Sequence, residues 1–300
     1  MLVGKGMYNF VIFQADADYY RSSWNDALSA ENVCYIDNYP QHGGAVLNFV
    51  HKCHMSSKIN SVIRLPFKNL WNPYYFTGEF DNDKPICFLF SGRLAYLAKY
   101  GLVEYLKQMY PDSKYVCFYQ DVVRTHINIS VEEVKRYFDV VISYDQNDAA
   151  QYGLLYHPTV YSKVDVAPND AIAGCDAYFL GAAKDRLKHI YDAYDVLTAQ
   201  GLKCDFYITG VPKSDRRNDA GLHYIHRMSY AENLQHIVKS KAVVEILQSG
   251  AVGRTLRSWE AAVYGKGLII FNNGVVEYTE ARNDMVATVD SFLTFVESEL

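Results

Sequence analysis

Short apolar runs alternate with segments of helical period along most of the chain. The runs at 8–13, 33–36, 86–90, 115–119 and 140–143 read as strands, because four to six apolar residues between polar breaks suit a strand covered on both faces. Ser130, three residues ahead of Glu133, forms a capping box that starts a helix. Between 154 and 169 the alternation breaks at His157-Pro158 and Pro168, which predicts a linker with its boundary near 163. Beyond it, strands are expected at 177–180, 204–209, 223–225, 242–247 and 268–271. Helices are expected at 185–200, 230–239 and 254–264, and a last one at 285–300. Leu187, Ile190, Tyr191, Tyr194 and Leu197 line one helical face with Gly201 as the stop, and Ser229 with Glu232 caps the following helix. The pattern predicts an α/β protein of two doubly wound, Rossmann-like domains, 1–162 and 163–300, with the last helix free to pack back on the first.

The composition agrees with a globular protein: 300 residues, half of them apolar and 21% charged, with a mean hydropathy of -0.14. Net charge is -5, spread evenly over both halves, so general nucleic-acid binding is not expected. The six cysteines stand singly, mostly inside apolar runs, and read as buried free thiols in a reducing compartment. Residues 1–13 lack the pattern of a secretory signal and no run approaches membrane-spanning length. A cytoplasmic location is expected, with peripheral membrane contact at most.

The stretch 243–273 carries the chemistry. It reads as strand, glycine-containing loop, helix, glycine stop and strand. Gly250 and Gly253 permit close backbone approach, and the amides of Arg254, Thr255 and Leu256 open a helix at whose positive end an anion is stabilised. Arg254 and Arg257 add bidentate donors suited to a pyrophosphate. Glu260, one helical turn after Leu256, offers two acceptor oxygens to a ribose diol; pairing with Arg257 or with a neighbouring helix is its structural alternative. A second strand-to-helix loop, Gly181 to Arg186, sets Lys184 and Arg186 at the carboxyl end of its strand, the ligand edge of open α/β sheets.

The order Gln-Ser-Gly loop, Gly-Arg-Thr-Leu-Arg, Trp-Glu-Ala, Tyr-Gly-Lys, apolar strand, Asn-Asn resembles the donor-binding half of GT-B glycosyltransferases. The resemblance is clearest over 178–273, and particularly to the bacterial enzymes of capsular and lipopolysaccharide assembly. It implies two Rossmann-like domains facing a central cleft and transfer of a monosaccharide from a nucleotide diphosphate sugar, with UDP favoured. The acceptor it implies is a surface-polysaccharide or lipid-linked oligosaccharide. In the retaining branch two glutamates seven residues apart hold the donor. Glu260-Ala261 matches the second, which binds the ribose, while Val252 stands in place of the first, so neither a retaining outcome nor a sugar carries over. Glu245, inside an apolar strand, is a candidate substitute, with a salt bridge as the alternative. By the same resemblance the loop before Tyr230 borders the nucleobase, through backbone near Arg227 and Met228 and the ring of Tyr230. A metal-independent reaction without further cofactor is expected, arginines and helix amides taking the leaving-group charge.

The first half has no comparable motif. Asp16, in the loop after the first strand, is the candidate base, and Asp121 its rival. Residues 38–78 contain no acid but carry Lys52, Lys58, Arg64, Lys68 and three histidines among Leu65, Phe67, Leu70, Trp71, Tyr74, Tyr75 and Phe76. This mixture fits a membrane surface or an anionic lipid-linked acceptor, an ordinary basic surface over a partly buried aromatic cluster being the alternative. Two functions compete with sugar transfer: a non-catalytic sugar or nucleotide binder, and another enzyme on the same architecture, such as a pyruvyl transferase or a nucleotide-sugar epimerase.

Overall fold

A computed structural model describes residues 6–300 apart from 38, 42, 127, 168, 248–253, 273 and 282–285. Two compact units emerge from the contacts: Met1–His157 with Val289–Leu300, and Pro158–Thr288.

In the first unit, β1 (Asn9–Phe13), β2 (Val33–Ile36), β3 (Ile86–Ser91), β4 (Lys114–Tyr119), β5 (Val140–Ser143) and the two-residue β6 (Leu155–Tyr156) form a parallel sheet in the order β2-β1-β3-β4-β5-β6. Every residue of β1 and β5 is buried, as uninterrupted apolar runs require of strands covered on both faces. The connecting helices are α1 (Asp18–Ser23), α2 (Gly44–Met55), α3 (Ser57–Val62), α4 (Leu102–Met109), α5 (Val131–Tyr137) and α6 (Gln146–Tyr152). The Ser130–Glu133 capping box forms at the start of α5.

In the second unit, β7 (Cys175–Ala182), β8 (Cys204–Thr209), β9 (Leu222–Ile225), β10 (Ser240–Ile246) and β11 (Gly267–Asn272) are parallel, and β12 (Val275–Glu280) runs antiparallel at the edge. The helices are α7 (Leu187–Ala199), α8 (Tyr230–Lys239), capped by Ser229 and Glu232, and α9 (Leu256–Val263). Read from β9, the order is β9-β8-β7-β10-β11-β12, which is 3-2-1-4-5-6 when strands are counted within the unit. Its core packs Phe179, Ile190, Leu197, Phe206, Ile208, Val244 and Ile269. The last helix, α10 (Val289–Glu299), belongs to the first unit, where Phe292 stacks on Phe118 with ring centroids 4.6 Å apart.

Both units are therefore Rossmann-like α/β sheets. All six cysteines are free thiols. Two strands escape the reading of apolar runs. Strand β6 is two residues long, and β12 is a largely exposed edge strand joined to β11 by a two-residue hairpin, Asn272 pairing with Val275. The Asn-Gly sequence of that loop is its signal, and Gly274 takes the left-handed backbone, φ +85°, that such turns need.

Candidate functional site

In the second unit strand order reverses between β7 and β10, and the crevice outside their carboxyl ends is where open α/β sheets bind ligands. The two loops singled out from sequence are the two that leave these strands. After β10, residues 248–253, including Gly250, Val252 and Gly253, lie outside the described residues; the chain is described again from Arg254. After β7, Lys184 is exposed and takes a left-handed backbone, φ +43°, unusual for a residue with a side chain.

Arg186 and Arg257 converge on this crevice. Arg186, 5% exposed, donates from Nε to the Ala182 carbonyl at 3.3 Å and from Nη1 to the Ile246 carbonyl, so it ties the ends of β7 and β10 together. Arg257 donates from Nε and Nη2 to the Leu180 carbonyl at 3.0 and 2.8 Å. Both lie over the Phe179 ring, with guanidinium carbons 5.8 and 5.2 Å from its centroid. Gly181 makes room for them: a Cβ there would stand 3.0 Å from an Nη2 of each arginine and 2.7 Å from Phe179 Cζ. Neither guanidinium has a salt-bridge partner among the described residues. Burial, then the charge of Arg257, pull the Arg186 pKa down to about 9, only partly offset by Glu245 and Asp185. The side chain remains cationic at neutral pH. Paired cations that are bonded to carbonyls but not neutralised create a strong local demand for an anion.

Glu260 on α9 is 3% exposed and is held from the side by α8. Asn233 Nδ2 donates to Glu260 Oε1 at 3.3 Å, and the Tyr178 hydroxyl donates to Asn233 Oδ1 at 3.0 Å. Tyr230 also hydrogen-bonds the Glu260 carboxylate, and its hydroxyl lies 3.0 Å from that of Tyr161. Burial raises the Glu260 pKa to about 7 against the opposing pull of Tyr230, Arg257 and Asn233. A carboxylate has about four acceptor positions. Tyr230 and Asn233 occupy two, and the remainder suit hydroxyl donors. Its partners thus come from the neighbouring helix, in line with one of the alternatives read from sequence, and Arg257 acts on it through charge alone.

Glu245, 2% exposed in β10, is not in a salt bridge among the described residues; it accepts hydrogen bonds from the hydroxyls of Thr255 and Ser258. Thr255 is the N-cap of α9, its hydroxyl accepting from the Arg257 amide at 3.3 Å. Glu245 therefore anchors the start of α9 to the sheet, and its negative charge sits at the positive helix end. Arg254 is exposed, its guanidinium 5.9 Å from the centroid of the Trp259 ring. In the loop before α8, Arg227 is exposed and the Met228 sulfur accepts from the Tyr178 hydroxyl at 3.5 Å. Tyr230, 7% exposed, is turned inward toward Glu260 and Tyr161.

In the first unit Asp16 is exposed in the loop after β1. Asp121, after β4, is engaged. Arg93 Nη2 donates to Asp121 Oδ2 at 2.6 Å and the Tyr20 hydroxyl donates to the same atom at 3.3 Å. Beside this pair His126 packs edge-on against Tyr119, with ring centroids 5.1 Å apart, and is hydrogen-bonded to the backbone at Asp121 and Gly92. Burial lowers its pKa, so the imidazole is neutral at pH 7, and its Nε2 is buried without a partner. Ser91 Oγ, Tyr119 Oη and Gln120 Nε2, all at the carboxyl ends of β3 and β4, are buried and unpartnered as well. Sequence reasoning passed over Arg93 and His126. Their one signal is position, just past the apolar runs of β3 and β4.

The chain matches no protein-family model and no curated protein. It is similar to solved structures of glycosyltransferases. One is an alpha-glucosyltransferase in complex with UDP-glucose and DNA containing an abasic site: 13% identity, 97% of this chain and 90% of that one covered, TM-score 0.47. Another is E. coli heptosyltransferase WaaC with ADP-2-deoxy-2-fluoro heptose: 12% identity, 97% and 99% covered, TM-score 0.39. A third is the glycotransferase of kitacinnamycin: 9% identity, 84% and 82% covered, TM-score 0.42.

Proposed function

We propose that the chain is a glycosyltransferase of the GT-B type that takes a nucleotide diphosphate sugar, UDP-linked in the favoured case, at the β7/β10 crevice of the second unit. The observation that carries this reading is the convergence of Arg186 and Arg257, without a salt-bridge partner among the described residues, on the point where strand order reverses. A diphosphate fits the demand they create. Arg186 and Arg257 would hold it from the strand side, Lys184 and Arg254 from the loops, and the backbone at Gly181 and Thr255 would border it. Glu260, positioned by Tyr230 and Asn233, would accept from the ribose hydroxyls. As the glycosidic bond breaks, charge develops on the departing diphosphate, and preorganised cations act most strongly there. The same cations supply the charge in a reaction that needs no metal. The acceptor is a hydroxyl of a surface-polysaccharide or lipid-linked intermediate at the inner face of a membrane. The test is calorimetry with UDP, GDP, ADP, TDP and CMP against the wild type and Glu260→Ala. One diphosphate that binds the wild type and is lost or strongly weakened in the variant is the expected result. No binding of any of them removes the reading.

A further inference from the structure

The segment from α2 to the 3-10 turn Lys68–Tyr74 carries apolar side chains on its outer face as well as on the face that meets the core. Among the described residues seventeen large apolar side chains are exposed, and nine of them fall here: Val46, Phe49 and Val50 on α2; Ile59, Val62 and Ile63 on and after α3; then Phe67, Leu70 and Tyr74. The first two groups repeat the i, i+3, i+4 spacing of a helix face, but that face points to solvent. Val62 is 83% exposed and Val46 78%.

On the inner side Leu47 and Met55 pack against the core, and polar groups tie the segment together beside them. His54 links three points: its Nδ1 accepts from Trp71 Nε1 at 2.7 Å, its Nε2 lies 2.8 Å from the Pro66 carbonyl, and its own carbonyl accepts from Lys68 Nζ at 2.7 Å. Asn60 donates to the His54 and Ser56 carbonyls and accepts from the Leu65 amide, and His51 bonds the Tyr75 hydroxyl at 2.8 Å. Trp71, Tyr75 and Phe76 are buried in the core, as the alternative of a partly buried aromatic cluster expects. The outer apolar residues therefore stand on a fixed frame. Phe67 is exposed on a left-handed backbone, φ +59°, which costs energy for a residue with a side chain.

We propose that this face docks on an anionic lipid bilayer. The charge decides the occupant. Lys52, Lys58 and Arg64 are exposed among the apolar side chains, Lys68 turns inward, and no acid occurs from Asn38 to Gly78. Aliphatic and aromatic residues ringed by cations match the boundary between acyl chains and anionic headgroups. A duplex nucleic acid would call for more cations and fewer aliphatic side chains. A two-fold contact between copies would set these cations against each other with no carboxylate of the segment to pair them. No helix among the described residues is long and apolar enough to cross a membrane, so the contact is peripheral.

The test is co-sedimentation of the full chain with vesicles of phosphatidylcholine, alone or with about one third phosphatidylglycerol. Binding to the mixed vesicles, weakened by salt, is expected. Lys52→Gln and Lys58→Gln should each lower partitioning about fivefold at low salt. Phe67→Gly, which relieves the backbone, and Phe49→Ser should each lower it about tenfold or more while leaving thermal stability intact. Absence of binding to the mixed vesicles, or unchanged binding in both phenylalanine variants, would overturn the proposal. So would tighter binding to duplex DNA than to vesicles, or a dimer in light scattering that Phe49→Ser dissolves. Nucleotide binding by the second unit is a separate readout and should not change in any of these variants.

Discussion

Arg257→Gln separates a ligand-binding arginine from a structural one, because its two roles pull stability in opposite directions. Each of the two Nη2 atoms lies 3.0 Å from the point where a Gly181 Cβ would stand, so about 6 Å at most divides them. At an effective dielectric of about 20, two unit charges about 6 Å apart repel by about 3 kcal/mol. Removing Arg257 relieves that repulsion, and it also strips the Leu180 carbonyl of hydrogen bonds from a charged donor, which are worth about 1.5–3 kcal/mol. The ligand-free variant should therefore unfold within about 1 kcal/mol of the wild type. Binding has no such compensation. Losing a cation from a phosphate contact costs about 1.5–3 kcal/mol, or roughly a tenfold to hundredfold rise in Kd. With UDP at about a hundred times the wild-type Kd, the wild type gains about 2.7 kcal/mol, a Tm rise of about 5–10 °C. At the same concentration the variant should keep about half of that or less. Differential scanning calorimetry with and without nucleotide measures both quantities. A variant destabilised by several kcal/mol with an unchanged UDP affinity would refute the argument and reduce Arg257 to a clamp on β7.

Other consequences follow from the same geometry. Glu260 has a folded pKa of about 7, raised from 4.5, so its contribution to stability is full below pH 4.5 and is lost as pH rises through about 7. Urea titrations over that window should show a loss of about 3 kcal/mol from this group, absent in Glu260→Gln. A slope that persists in the variant would assign it elsewhere. Gly181→Ala should displace both guanidiniums and Phe179, cost about 1–3 kcal/mol, and abolish nucleotide binding; a stable variant with native affinity would show that the close packing is not needed. If His126 is the base for the acceptor hydroxyl, activity falls as pH drops through a pKa below the usual histidine value, because only the neutral ring accepts a proton. His126→Gln should then lower kcat about 100-fold or more and erase that acid limb, whereas a limb that survives would exclude the role.

The second unit was legible because its chemistry rides on regular elements. The apolar runs of β7 and β10 placed the two loops, and glycines and arginines just beyond them carried the signal of an anion site. Periodicity also gave α9 and both capping boxes. What escaped was what tertiary packing decides. Glu245 looked like half of an ion pair, because a buried charge needs a partner. The partners are two hydroxyls on the first turn of α9, and the pattern of Thr255 and Ser258 against a strand ten residues earlier gives no sign of that. Tyr230, placed near the nucleobase by the resemblance, is buried at the start of α8 and bonds Glu260, a contact that no local pattern signals.

The first unit was harder for a related reason. Its edge polar groups come from three connections and carry no local motif: Arg93 follows β3, Asp121 and His126 follow β4, and Tyr20 sits on α1. Each alone reads as a solvated charge or a core aromatic. Only the sheet order, with β3 between β1 and β4, gathers them at one edge, and only the burial of His126 shows that a ring nitrogen there lacks a partner. Residues 38–78 show the complementary failure. Their composition pointed to a basic surface with its aromatics either at an interface or partly buried; Trp71, Tyr75 and Phe76 are buried, and Val46, Phe49, Ile59 and Val62, which it passed over, are exposed. A hydrophobic pattern tells which residues share a face. Which face meets solvent is settled by what lies beneath, and here Leu47 and Met55 take the places on the core while the links of His54 and Asn60 fix the outer residues in solvent.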